Sequence, residues 1–227
     1  MISQEIEIPG EVPVMTLGNT VLFPQAIMPL YIFEPRYREM LDHVLANDRI
    51  FAIAGLNEAA TDAEVFETPH RVAGVGLIRA CQQNPDGTFN LILQGLARIE
   101  MESIVSEEPY RTARIKQVLS EIGGTSEAMQ SIPTRIIALI KAQRRLGADI
   151  PAEVVRFLDS LDDPENVLDI AIYTLCTESP LKQDLLETLG IVPRFNKFSR
   201  YLLDKIERLK IDQQLKGGLN EDDVGNN

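Results

Sequence analysis

A chain of 227 residues with 44% hydrophobic and 25% charged side chains is long enough to fold around one or two cores without disulfides or metals. Its 22 basic and 34 acidic residues leave a net charge of −12, split as −7 over residues 1–120 and −5 over the remainder. Both halves therefore repel a phosphate backbone, which disfavours nucleic acid as a partner. No apolar run approaches the roughly 20 residues of a membrane-spanning helix, and the acidic start MISQEIEIPGEV has no signal-peptide core. Cys81 and Cys176 each sit among apolar neighbours and read as buried free thiols, with a disulfide between them left open. The chain is expected to be cytoplasmic, with no membrane partner.

The first half has strand character. Val12 to Leu17 is a short apolar run closed by Gly18-Asn19, a turn signal. Ala26 to Phe33 is β-branched and aromatic, and Pro29 inside it marks an edge or bulged strand. From Pro35 the apolar residues Tyr37, Met40, Leu41, Val44 and Leu45 recur at spacings of three and four, which predicts a helix ending near Asn47. Ile50 to Leu56 reads as a buried strand, and residues 57–70 as an exposed loop. Val72 to Cys81 and Phe89 to Glu100 flank Pro85-Asp86-Gly87 and form a hairpin. Gly74, Gly76 and Gly95 within these strands point to bulges or bends of a curved, barrel-like sheet. Tyr110 to Leu119 alternates and gives the last strand.

The pattern changes at residues 121–126, where a domain boundary is placed. Helices are expected over Ile132 to Arg145 and Ala152 to Leu161, and after Asp163-Pro164 and Ser179-Pro180, each pair offering a cap followed by Pro in the first turn. A final helix covers Phe195 to about Lys210, and residues 213–227 read as a disordered tail. The fold class is α+β, with a β-rich domain over residues 1–120 and a helical bundle over 121–212.

One segment, Leu22 to Met40 (LFPQAIMPLYIFEPRYREM), is far more distinctive than the rest. Its Leu22-Phe23-Pro24, Pro29-Leu30, Ile32-Phe33-Glu34, Arg36-Tyr37-Arg38 and Met40 closely resemble the signature of the Lon protease N-terminal domain. Downstream, the hairpin ending in Leu93, Gly95 and Arg98, and the strand from Pro109 to Ile115, look like that family's. The helical half is similar to the bundle that follows the domain in Lon. The resemblance covers about residues 10–210. It implies a PUA-like curved sheet or pseudo-barrel plus a helical bundle, in a stand-alone bacterial module that contributes to substrate selection, independent of ATP.

Lon's catalytic parts need a phosphate-cradling G-x-x-x-x-G-K-[ST] loop and a Ser–Lys dyad, and the glycine–lysine loop does not occur in this sequence. There is no G-x-S-x-G elbow. His43 and His70 stand alone, outside any metal-binding spacing, and Asp162-Asp163 with Glu165 is better read as a helix start. The expectation is a protein without catalytic residues, metal or cofactor. Phe23, Leu30, Ile32 and Phe33 are assigned to the core, and Pro24 and Pro29 to shaping the chain. Glu34, Arg36 and Arg38 are read as organising the helix start and its packing, with Gly95 and Arg98 as further structural motif positions. Met28, Tyr31 and Tyr37 are the residues expected outside, where Met and aromatics suit polypeptide recognition. The expected partner is unfolded or extended polypeptide, or one dedicated protein, in an adaptor or chaperone-like role. Competing readings are a PUA-like nucleic-acid binder, a small-molecule binder with a pocket in the sheet, and a homo-oligomer formed through the last helix.

Overall fold

The computed structural model describes residues 6–60 and 67–222, and its first unit is organised by one long strand. That unit comprises residues 1–119 and 173–187. Its elements are β1 (Glu11–Leu17), β2 (Ile27–Ile32), α1 (Pro35–Ala46), β3 (Ile50–Gly55), a 3-10 turn at Glu58–Ala60, β4 (Val72–Gln83), β5 (Phe89–Ser106) and β6 (Thr112–Val118). The sheet order is β2-β5-β4-β3-β1-β6, and β6 also pairs with β5. Five strands, β5-β4-β3-β1-β6, therefore close into a ring, while β2 hangs on β5 from outside. Only the β1–β3 pair is parallel, as expected where α1 lies in a long crossover between them.

β5 serves both parts. Arg98 to Ser106 pair with β6, whereas Phe89 to Gln94 pair with β2. The register against β4 slips where Gly76 meets Gly95. A Cβ on Gly95 would overlap the Phe23 carbonyl, and one on Gly74 the Leu22 carbonyl. The Leu22-Phe23-Pro24 backbone thus crosses the sheet in contact with its glycines, which is the close approach those glycines permit. The ring interior is filled by Val12, Val14, Ala52, Ala54, Ala73, Val75, Ala97, Ile99, Ala113 and Ile115, all buried. Its many alanines suit the narrow bore of a five-stranded ring.

The elements expected in the first half are all present, with β5 running six residues beyond the expected end at Glu100. Gly87 adopts φ +79° in the β4–β5 turn, as the Pro-Asp-Gly sequence requires. Within the expected loop at 57–70, residues 61–66 lie outside the described residues, as do residues 1–5 of the N-terminal segment.

The second unit comprises residues 120–172 and 188–227. The chain's helices after the sheet are α2 (Ser126–Gln130), α3 (Ile132–Arg145), α4 (Ala152–Asp159), α5 (Pro164–Leu175), α6 (Ser179–Glu187) and α7 (Ile191–Asp222). Ile132, Ile136, Ile140, Leu158, Leu168, Phe195, Phe198 and Leu202 are buried in the second unit. A fully buried Arg194 ties it together. Its guanidinium donates to Asp169 at 2.7 Å, Glu165 at 3.1 Å, the Ser120 hydroxyl at 2.8 Å and the Thr188 carbonyl at 2.8 Å. Losing one partner of such a buried pair costs about 3–5 kcal/mol, because the other charge stays buried and uncompensated.

Two expectations need correcting here. The chain divides at Leu119/Ser120, but residues 173–187, expected in the helical bundle, group with the β-rich unit. They do so through specific bonds: Gln183 Nε2 donates to the Val72 carbonyl, and Arg98 Nε to that of Leu186. α7 continues to Asp222, so residues 213–222 of the expected tail have helical backbone; residues 223–227 lie outside the described residues.

Candidate functional site

β2 is an edge strand, and its backbone defines one side of the site. The Gly95 N–H donates to the Ala26 carbonyl at 2.9 Å. Antiparallel alternation then sends the backbone groups of Met28, Leu30 and Ile32 toward β5 and those of Ile27, Pro29 and Tyr31 toward the open edge. The Tyr173 hydroxyl donates to the Ile27 carbonyl at 3.3 Å from that side. Pro29, which has no N–H to donate, occupies an outward position, as proline in an edge strand should. The edge strand expected from Pro29 is the one observed.

The side chains alternate in the same way. Met28 is only 5% exposed and Ile32 is buried, whereas Ile27 and Pro29 are exposed, Tyr31 is 55% exposed and Phe33 60%. The Tyr31 and Phe33 rings lie 6.0 Å apart at 29°, stacked on the surface. Beside β2, β5 and β4, the mainly apolar set Pro29, Leu30, Tyr31, Ala80, Cys81, Leu91 and Ile92, with Gln82 and Asn90, lines an open groove of about 450 Å³. Burial pushes the half-buried Cys81 thiol above its ordinary pKa, so it stays neutral and apolar in the groove. Neither cysteine forms a disulfide. The face combines stacked aromatics, aliphatic side chains and an open strand edge, which suits an extended apolar peptide.

Of the three residues expected outside, the structure leaves only Tyr31 there. Met28 and Tyr31 are three positions apart, so a strand of period two sends them to opposite faces. Tyr37 is 4% exposed on α1. Its phenol accepts from the Thr16 N–H at 3.3 Å and donates to the Thr16 carbonyl at 3.4 Å, fastening α1 to β1. Burial raises its pKa above the usual tyrosine value, with the Arg36 charge opposing. Phe33, expected in the core, is instead the most exposed aromatic of the patch, because it continues the alternation past buried Ile32 onto the same face as Tyr31. Ile27 and Phe33 were the residues sequence reasoning missed; strict counting by two from Tyr31 would have found both.

The other motif positions are buried or bonded within the first unit. Phe23 is fully buried, Pro24 half-buried. The buried Arg98 guanidinium stands 5.6 Å from the Phe23 ring centre and donates to Leu186. Glu34 sits at the N-cap of α1 without a side-chain capping bond; its carbonyl accepts the first helical N–H groups, and its carboxylate pairs with Arg36 at 2.9 Å. Arg36 continues to Glu67 through two bonds of 2.8 and 3.2 Å. Arg38 lies over the Gly87 turn and adds to the Thr88 hydrogen bonds that hold the Asp86 carboxyl below its usual pKa. Among the described residues no group of three or more His, Cys, Asp or Glu is placed to hold a metal ion, and no helix is long and apolar enough to cross a membrane.

Comparison with known proteins gives a consistent result. The sequence model of the family described as the ATP-dependent protease La (LON) substrate-binding domain matches residues 11–204. Lon protease of Desulfosudis oleivorans is 26% identical over 219 residues, covering 95% of this chain and 26% of that protein. Lon protease of Dictyoglomus thermophilum is 23% identical over 215 residues, again 95% of this chain and 27% of the relative. The chain thus spans about a quarter of the length of these curated relatives. Among solved structures, the N-terminal domain of Mycobacterium avium complex Lon protease superposes with a TM-score of 0.64 at 20% identity, covering 87% of this chain and 98% of that one. The Lon N-terminal domain protein from Xanthomonas campestris gives a TM-score of 0.60 at 15% identity, covering 84% and 98%.

Proposed function

Because this chain belongs to the Lon substrate-binding domain family, we propose that it recognises unfolded or extended polypeptide, and that it does so without catalysis of its own. The observation that carries this reading is the exposed Tyr31–Phe33 pair beside an apolar groove on an edge strand. An extended segment adds to β2 through the outward backbone groups of Tyr31 and Pro29, while its apolar side chains enter the groove. Such binding is tolerant of sequence, because main-chain bonds supply affinity and the groove selects only for apolarity. The role is that of an adaptor or chaperone-like factor in the cytoplasm. The β-rich unit, centred on residues 1–120, carries the recognition.

The test is fluorescence anisotropy of the full chain with labelled α-lactalbumin, reduced and carboxymethylated so that it stays unfolded. Residues 1–120 alone are unsuitable, since truncation removes the partners of Arg98 and Val72 on residues 173–187. Saturable binding is expected for the unfolded form and not for the native one. The double variant Tyr31→Ala, Phe33→Ala should weaken it at least tenfold, corresponding to about 1.4 kcal/mol or more. Equal binding by wild type and double variant, or none by either, sinks the reading.

A further inference from the structure

The first unit holds a second cavity, of about 390 Å³, which shares no lining residue with the apolar groove. Its apolar lining includes Val21, Gly55, Leu56 and Pro180, and its polar lining Glu58, His70, Gln183, Asp184 and Glu187. The volume is in the range of small-molecule sites.

Gln183 is 5% exposed and its amide orientation is fixed. Nε2 donates to the Val72 carbonyl at 2.9 Å and to Glu187 Oε1 at 2.8 Å, both acceptors, so the amide cannot be reversed. Oε1 is thereby turned toward Gly55, where a Cβ would stand 3.3 Å from it and 3.5 Å from the His70 ring. No donor among the described residues reaches this buried oxygen. Leaving a buried amide oxygen unsatisfied is costly, and a ligand N–H in this cavity would supply the missing bond. The charge around it fixes what kind of donor. Three carboxylates, Glu58, Asp184 and Glu187, line the cavity against a single imidazole, His70, whose Nδ1 lies 3.4 Å from Glu187.

We propose that this cavity binds an organic cation bearing several N–H donors, a guanidinium or primary ammonium. The apolar lining takes the alkyl stem. The cationic head donates to Gln183 Oε1 and is held by the carboxylates. A guanidinium fits this demand well, with five donors in a planar fork. The same chemistry occurs in a free alkyl diamine derivative and in an arginine side chain of a polypeptide, and two probes separate them.

The experiment is NMR titration of the full chain with agmatine and with Nα-acetyl-arginine amide, and with N-butylurea as the neutral control. Saturable shifts of the His70 ring and the Gln183 side-chain amide are expected with at least one cation, below about 10 mM. Agmatine alone assigns a free cation, and the arginine amide alone assigns a peptide side chain. Gly55→Ala places a methyl group against Gln183 Oε1, and Asp184→Asn removes one charge from an exposed position. Each should weaken binding about fivefold or more, whereas Tyr31→Ala leaves it unchanged. Should Gly55→Ala fail to fold, Asp184→Asn decides. Absence of saturation with both cations, equal binding of N-butylurea, or unchanged affinity in the folded variants would overturn the proposal.

Discussion

The two halves of β5 belong to regions built on opposite terms. From Arg98 onward the strand is part of a closed ring in which every strand has a neighbour on both sides, and its inward side chains are small and buried. From Phe89 to Gln94 it supports β2, which has a neighbour on one side only and carries exposed Ile27, Tyr31 and Phe33. Closing a sheet removes its edges; leaving one strand outside restores a single edge at a chosen place. An exposed apolar edge strand is an aggregation hazard that natural proteins blunt, and here Pro29 removes one outward donor. The closed core and the open edge are thereby supported by different stretches of the same strand. Adjacent residues of β2 should report the two roles separately.

The sharpest way to break this contrast is to truncate both faces of β2. Met28→Ala removes a buried side chain and should lower stability by about 2–5 kcal/mol, read as the urea midpoint of the full chain. Tyr31→Ala, on the exposed face, should change stability by no more than about 0.5 kcal/mol yet weaken binding of unfolded lactalbumin. A stability loss at Tyr31 comparable to that at Met28 would mean that the outer face is scaffold, not recognition surface.

The junction between the regions offers the next largest effect. Gly95→Ala drives a methyl group into the Phe23 carbonyl, and the crossing backbone must shift. Overpacking of this kind costs about 1–3 kcal/mol, and the shift should carry into β2 through the Gln25 and Ala26 bonds to Gly95. Loss of both stability and binding is expected. Unchanged binding in a destabilised but folded variant would show the two parts to be independent.

Much of this was legible in the sequence, and the exceptions have identifiable physics. Pro29 marked the edge strand, Pro85-Asp86-Gly87 the hairpin, and the glycines the bend, because each acts through local backbone geometry. The Leu22 to Met40 signature identified the family. What the sequence could not supply was long-range pairing. Nothing local in Lys182-Gln183-Asp184 says that α6 returns to the sheet, where Gln183 meets Val72 across 111 positions. Arg194 likewise reads as one more surface charge on a helix, although Asp169 lies 25 positions away waiting for it. Tyr37 failed for another reason: an aromatic on an amphipathic helix can point either way, and its partner Thr16 lies on a strand 21 positions earlier.

Tyr37 also provides the smallest and most specific test. If it is an anchor of the ring and not a recognition residue, Tyr37→Phe should leave polypeptide binding intact and lower stability by about 1 kcal/mol, the worth of its paired bonds to Thr16. The pH dependence follows from the raised pKa of the buried phenol. A group whose folded pKa lies above its unfolded value, about 10 for tyrosine, contributes stability that is fully present below pH 10. That contribution is lost as the pH rises through the folded pKa, because the phenolate must then be buried. Wild type should therefore lose stability more steeply than Tyr37→Phe above pH 10, and the difference between them should shrink or reverse there. Parallel profiles for the two proteins would mean that the phenol ionises as freely as in water and that α1 is not fastened through Thr16. Weakened polypeptide binding in Tyr37→Phe would instead return Tyr37 to the recognition surface.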